Sequence, residues 1–209
     1  MSDVNRLFDL HMVDYLQPRA RGNWRLEYFE FTDEIIMREK MRDAMRGLNE
    51  LAGQGPGMVV CLKYMDATEM SDTMMEKKTN FEFTRRARGD VLIAGLGLGM
   101  IVLAIQDDPT ITSITVIEKS IDVIELVTPQ LPLNDKVTII HDNIFAWKPK
   151  RGIRYDTIYF DIWPAICGDY YEEMKDLKRK FGFRRRTKYS WMGCWREADM
   201  RDAARDWRW

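Results

Sequence analysis

Apolar positions along this chain fall into two kinds of run. In its middle, residues 91–94, 112–117, 136–140 and 155–160 are short stretches dominated by apolar side chains. Runs of that length suit strands buried on both faces. Between the first two lies Met100-Ile-Val-Leu-Ala-Ile105, apolar enough for a buried helix and stopped by Asp107-Asp108-Pro109. After residue 117, Ser120 can cap a helix that turns Ile121, Ile124 and Val127 inward and breaks at Pro129. Strands alternating with helices predict an α/β fold, a Rossmann-like three-layer sandwich with a mostly parallel sheet.

The flanks are patterned differently. Residues 3–16 predict a short helix with Leu7, Leu10, Val13 and Leu16 on one side, broken by Pro18 and Gly22. Aromatic residues in partial alternation predict a strand over 24–31. Thr32 and Asp33 can cap the next helix, where Met37, Met41, Ala44, Leu48 and Leu51 form a helical stripe expected to pack in the core. A second strand spans 58–64, and 65–72 reads as a polar loop. Thr73-Met-Met-Glu76 matches a capping box, starting a helix that runs to about Ala87. Residues 1–70 thus form a small α+β extension and 71–175 a cofactor-binding core. The remainder, 176–209, is a basic, Trp-rich helical segment packing on that core. Residues 169–181 predict a helix. Beyond them only a short strand near Phe183 or Trp191 is expected, so the sheet is predicted to be truncated.

Composition changes this picture little. With 209 residues and a net charge of −1, the chain suits one sizeable domain with an extension, and its global charge names no partner. No apolar run approaches a membrane span, and acids within the first sixteen residues argue against a signal peptide. Cys61, Cys167 and Cys194 are isolated, giving neither a disulfide framework nor a zinc spacing; the reading is a reducing, cytoplasmic compartment. Two histidines make a histidine-rich metal site an unfavoured reading. Between Lys178 and Lys188 lie seven basic residues and no acid, with tryptophans following. Such a run can hold nucleic acid through phosphate contacts and stacking. The competing reading, favoured here, packs Trp191 and Trp195 on the sheet edge and pairs the arginines with acids.

The candidate chemistry lies at the strand ends. Gly95, Gly97 and Gly99 follow the first buried strand and open the apolar helix, as in a nucleotide-binding βαβ unit. The dinucleotide spacing G-x-G-x-x-G is not met, because position 100 is methionine; this suits a cofactor without pyrophosphate. Glu118 ends the second strand of this series and can accept hydrogen bonds from both hydroxyls of a ribose. Asp142 and Asn143 end the third, where they can meet an adenine amino group and ring nitrogen; Asp142 can equally cap residues 144–147. His141 reads as a satisfied strand-end histidine. Asp161 ends the fourth, where a carboxylate can orient or deprotonate an amine or hydroxyl nucleophile; a turn aspartate before Pro164 is the competing reading.

Taken in order, residues 91–99, 116–119, 141–142 and 155–161 resemble the class I S-adenosylmethionine-dependent methyltransferases, and within them the spermidine-synthase-like branch. The resemblance spans roughly residues 71–175. It implies S-adenosylmethionine as cofactor and a seven-stranded sheet with the last strand antiparallel. It also places the three glycines against the cofactor's methionine portion, Glu118 on its ribose, Asp142 on its adenine and Asp161 at the attacking group. Asp72 lies in the segment that closes over cofactor in the family, although Thr73 there also reads as a helix cap. Where the spermidine synthases carry a further acid three residues beyond Asp161, this chain has Pro164. The expectation is therefore methyl transfer to an unidentified acceptor, with a small molecule favoured. Aminopropyl transfer, or a non-catalytic cofactor- or nucleic-acid-binding role, is the alternative.

Overall fold

The computed structural model of the chain describes residues 6–45, 47, 49 and 51–206. Two sheets form. The first is made of β1 (Arg19–Arg21), β2 (Trp24–Phe31), β3 (Gly57–Tyr64) and β4 (Ala67–Ser71), antiparallel in that order, with its buried positions concentrated at the centre of β3. The longest pairing runs from Trp24 opposite Tyr64 to Phe31 opposite Gly57. Thr32 Oγ1 accepts from Ile35 N and starts α2 (Asp33–Met45), whose Ile36 packs with Phe31, Val59 and Cys61 on one side of this sheet. Leu26, Val60 and Leu62 join the main core on the other side.

The second sheet consists of β5 (Gly89–Ala94), β6 (Ile111–Glu118), β7 (Val137–His141), β8 (Thr157–Phe160) and β9 (Trp191–Cys194), all parallel, in the order β7-β6-β5-β8-β9. It is most deeply buried at its centre, in β5 and β8. Residues 91–94 of the central strand are wholly buried. The strand order reverses at β5, which opens a crevice beyond its carboxyl end. Helices cover both faces. Phe83 of α3 (Met74–Arg86) stacks on Tyr159, while Phe181 of α6 (Tyr170–Phe181) meets the next residue, Phe160, on the opposite face. The short α1 (Arg6–Asp9) packs on α3 and on α4 (Met100–Ile105). Helix α5 (Ile121–Val127) leans on β1 and β2, and α7 (Glu197–Asp206) packs on α6. No described helix is long and apolar enough to cross a membrane.

Several expectations change. The helix over 3–16 is broken: α1 ends at Asp9, and a single 3-10 turn follows at Met12–Asp14. Long-range partners replace the intervening helical bonds, for Lys77 Nζ donates to the Leu10 carbonyl and Asp72 accepts from Met12 N. The Met37–Leu51 stripe packs only at Leu51, which joins the Phe31, Ile36, Val59 and Cys61 cluster; α2 ends at Met45, Met37 and Met41 are 61% and 58% exposed, and Ile36 takes the inner face. Leu48 lies outside the described residues, as do Trp207 and Trp209. The polar loop over 65–72 contains β4, an edge strand whose mixed side chains carry no alternation of polarity or burial. No helix joins β7 to β8; a turn at 144–147 stands in its place. The antiparallel last strand implied by the resemblance is absent among the described residues, where β9 is parallel and ends the sheet.

Candidate active site

The glycine turn is built by close approach on three sides. Gly95, Gly97 and Gly99 have φ of +97°, +52° and +73°, which L side chains adopt only under strain. A Cβ at each would meet a different neighbour: the Asp161 carbonyl oxygen at Gly95, the Met70 sulfur at Gly97 and a Leu131 methyl at Gly99. Gly95 and Gly97 therefore sit on the crevice, while Gly99 faces the core at the start of α4. The turn is held by Glu118, which is buried. Its Oε2 accepts from Leu96 N at 2.9 Å and its Oε1 from Ser120 N at 2.8 Å. Those two bonds occupy part of the carboxylate's acceptor capacity and leave lone pairs for a ligand hydroxyl.

A cleft of about 800 Å³ opens over this turn. Its floor is the carboxyl ends of β5, β6 and β8 together with the loop after β7: Gly95, Leu96, Gly97, Glu118, Asp142, Asn143 and Asp161 all line it. Its roof comes from the first sheet through Trp24, Leu62, Tyr64, Glu69 and Met70. Met70 Sδ lies 3.4 Å from Leu98 N, so the thioether rests directly on the glycine turn. Asp142 accepts from its neighbour Asn143 N at 2.7 Å, and it is Asn143 Oδ1 that caps the following turn by accepting from Phe145 N at 3.0 Å. His141 is exposed, with Nε2 against the Lys119 carbonyl at 3.1 Å, and does not line the cleft.

Asp72 is a correction. It is buried, and its two oxygens accept from Met12 N at 2.8 Å and Val60 N at 2.7 Å. That carboxylate ties the N-terminal segment to β3 and does not reach the cleft. The capping box is another. Thr73 has no side-chain cap bond, because its hydroxyl pairs with Ser71 Oγ at 3.1 Å; Met74 N is satisfied by Gln54 Oε1 instead. Freed from capping, Glu76 turns into the cleft.

Glu76 and Asp161 then form an acidic end of the cleft. Burial, then the nearby Asp161 charge, pushes the Glu76 carboxyl up to about 8, against a lesser opposing pull from Arg196. Burial pushes Asp161 up to about 7, with a hydrogen bond from Asn80 acting the other way. Asn80 is fully buried and oriented by Tyr159, whose hydroxyl donates to Asn80 Oδ1 at 3.0 Å. Burial holds that hydroxyl protonated, well above its ordinary range. The Asn80 amide nitrogen donates to the Glu76 backbone carbonyl at 3.2 Å and to the Asp161 carboxyl, so it orients Asp161 from the same helix that carries Glu76. Around them Trp163 and Trp195 are nearly buried, their indole N–H groups held by Glu173 Oε2 at 2.8 Å and Thr79 Oγ1 at 3.0 Å. Tyr170 and Glu173 complete the lining. Sequence reasoning missed Glu76, Glu173 and this aromatic wall. One signal was present: Glu76, Asn80 and Phe83 share a helix face, and a polar residue between an acid and a core aromatic marks a face that is more than packing.

No family model matches the chain, and no curated protein does. Among solved structures, it is similar to the SAH-bound methyltransferase PaMTH1 of Podospora anserina, with 16% identity and a TM-score of 0.45 over 79% of this chain and 63% of that one. It is also similar to spermidine synthase from Thermotoga maritima, with 17% identity and a TM-score of 0.44 over 78% and 52%. A third likeness is to the CcbJ methyltransferase from Streptomyces caelestis, with 16% identity and a TM-score of 0.42 over 50% and 41%. The chain thus spans less than two thirds of the length of each.

Proposed function

We propose that the chain transfers a methyl group from S-adenosylmethionine to an amine nitrogen of a small acceptor. The observation that carries this is the position of the Glu76–Asp161 acid pair, in the same cleft as the glycine turn and Glu118. The residues fit such a cofactor. Gly95 and Gly97 offer bare backbone, Glu118 has free lone pairs for ribose hydroxyls, and Asp142 with Asn143 can meet adenine at the end of β7. When bound, the cofactor supplies an electrophilic methyl carbon on a sulfonium. The cleft volume suffices for both reactants, and holding them in line is the main contribution the protein makes.

The acceptor end supports an amine. Asp161, partly ionised near neutral pH and without a paired cation, lies with Trp163, Trp195 and Tyr170 in one lining and attracts an ammonium group through charge and ring faces. Attack requires the neutral amine, so a proton must leave nitrogen. Asp161, raised to about 7, accepts it far more readily than an ordinary carboxylate would. Glu76, its carboxyl protonated near neutral pH, accepts a hydrogen bond from the incoming nitrogen through its carbonyl oxygen. A second reading, aminopropyl transfer, gains support from Glu173, a third carboxylate beside Trp163, although Pro164 stands where the resemblance places an acid.

The test is calorimetry with S-adenosylhomocysteine, followed by product mass with a panel of amines. Micromolar affinity, about −8 kcal/mol, is expected for the intact chain. Asp161→Asn should keep that affinity and lose turnover. No heat with S-adenosylhomocysteine or methylthioadenosine would sink both readings, and an aminopropyl product would select the second.

A further inference from the structure

The opposite end of the second sheet presents a different surface. Arg88 precedes β5, residues 150–154 precede β8 and Lys188 precedes β9, so one loop cluster gathers cations at the amino ends of three parallel strands. Contacts join these loops. Arg184 Nη1 donates to the Lys150 carbonyl at 3.4 Å, Arg186 Nη2 to the Arg154 carbonyl at 3.3 Å, and Arg88 Nη2 to the Tyr189 carbonyl at 3.2 Å. Carbonyl contacts leave charge uncompensated. Among the described residues Arg88, Lys150, Arg151, Arg154, Arg184 and Lys188 form no ion pair, and the neighbouring acids Asp90 and Asp156 are both taken by Arg186. Two rings stand out of this surface, Phe183 at 64% exposure and Tyr189 at 73%. Each carries a cation over one face: Arg184 lies 5.4 Å from the Phe183 centroid and Lys188 5.0 Å from that of Tyr189.

We infer that this surface binds single-stranded nucleic acid, its cations tracking the phosphates and Phe183 and Tyr189 stacking on bases. Unpaired cations beside exposed ring faces are what sequence-tolerant strand binding uses. A ring with a cation on one face keeps the other for a base. The basic run over 178–188 supplies only part of the surface. Lys178 pairs with Glu197, Arg179 with Asp176, and Lys180 donates to the carbonyls of Ile144 and Phe145. Residues 150–154 and Arg88 supply the rest. The inference does not depend on the proposed methyl transfer, since the two surfaces lie at opposite ends of the strands.

The experiment is fluorescence anisotropy of the intact chain with a labelled, mixed-sequence single-stranded oligonucleotide, as RNA and as DNA, across a salt series. Binding at low salt that weakens with salt is expected. The Arg151→Ala/Arg154→Ala variant should lower the log–log salt slope by about 1.4, reflecting two lost phosphate contacts. Tyr189→Ala should weaken binding about ten-fold at an unchanged slope. Both alter exposed side chains and should melt like the parent, and Lys40→Ala, on exposed α2, should bind like it. Absence of binding at low salt, an unchanged slope in the double variant, or tighter binding to mixed phosphatidylcholine–phosphatidylserine vesicles would each overturn the inference.

Discussion

At the carboxyl ends of β5 to β8, Glu76, Glu118, Asp142 and Asp161 converge on one cleft, and Glu76 and Asp161 carry raised affinities for protons. At the amino ends of β5, β8 and β9 the nearby acids are instead locked in ion pairs. Arg186 bridges Asp90 and Asp156, Ser113 Oγ donates to Asp90 at 2.7 Å, and Asp90 N to Asp156 at 3.0 Å. The same residue type is thus left without an ion-pair partner at one end and paired at the other. Free acids beside a cavity are held at a cost in stability, and they gather where a ligand would relieve it. Paired acids at the other end stabilise strand starts while leaving surplus cations outward. A net charge of −1, the balance of 32 basic and 33 acidic residues, conceals this polarity.

The strand that reaches both ends offers the strongest way to break the comparison. β9 begins after Ser190 at the basic end and runs toward Trp195 at the cleft, and Trp195 and Met200 are buried. A chain ending before Ser190 loses the fifth strand and α7 together, exposing the apolar surface they cover. A loss of at least about 5 kcal/mol is expected, read as the disappearance of a cooperative thermal transition. A truncated chain that melts normally would mean that the two ends do not share a core.

The glycine turn provides the next test. Alanine at Gly95 would drive a methyl group into the Asp161 backbone carbonyl, which cannot swing away. Alanine at Gly97 would strike the Met70 sulfur at the end of a flexible side chain. Both incur positive-φ strain, so the difference between them isolates the clash. Gly95→Ala should cost about 2 kcal/mol more than Gly97→Ala in chemical denaturation. Equal costs would mean that the β5–β8 junction is softer than its packing implies.

The acids at the two ends should also respond differently to pH. Asp161 and Glu76 titrate at about 7 and about 8 in the folded chain, against ordinary values of 3.8 and 4.5. Folding therefore takes up protons between roughly pH 4 and 8. Stability from these groups is fully present below the ordinary values and is lost as pH rises through 7 and 8. Melting temperature should fall across that window, and Asp161→Asn or Glu76→Gln should flatten the fall and raise the value at pH 8 by about 3 °C. A melting temperature independent of pH would show that the cleft acids are solvated like surface ones.

The two ends also differed in how far the sequence revealed them. Strand-end positions follow directly from the apolar runs, so Gly95, Glu118, Asp142 and Asp161 could be placed on the crevice before any coordinates. Asp72 could not, because its partners Met12 N and Val60 N lie 60 and 12 residues away and backbone donors leave no trace in a sequence. Glu76 fitted a local capping rule, yet Gln54, distant in the chain, satisfied the helix start and released it. β1 and β4 were missed for a related reason: edge strands made of polar residues are defined by their neighbours, not by burial. The basic surface was half legible. The run over 178–188 was visible, but which of its cations would be neutralised depended on Asp176 and Glu197 meeting them in space.

The smallest effect expected concerns Arg186 itself. It is about half exposed, and its bonds to Asp156 Oδ2 at 3.0 Å and to Asp90 lie at the surface. Exposed ion pairs contribute little, so removing the guanidinium should cost only about 1 kcal/mol for the pair of contacts. The acids do not lose all support, since Asp90 N and Ser113 Oγ still donate to them. What Arg186→Ala should change is the strength of the local field. Asp90 and Asp156 would be freed to attract Arg88 and Arg154 across the same loops, lowering the positive charge presented outward. The variant should therefore melt within a few degrees of the parent while losing part of the salt-dependent oligonucleotide binding. If stability instead fell by several kcal/mol, the acids at this end would be as poorly solvated as those in the cleft, and the contrast between the two ends would disappear.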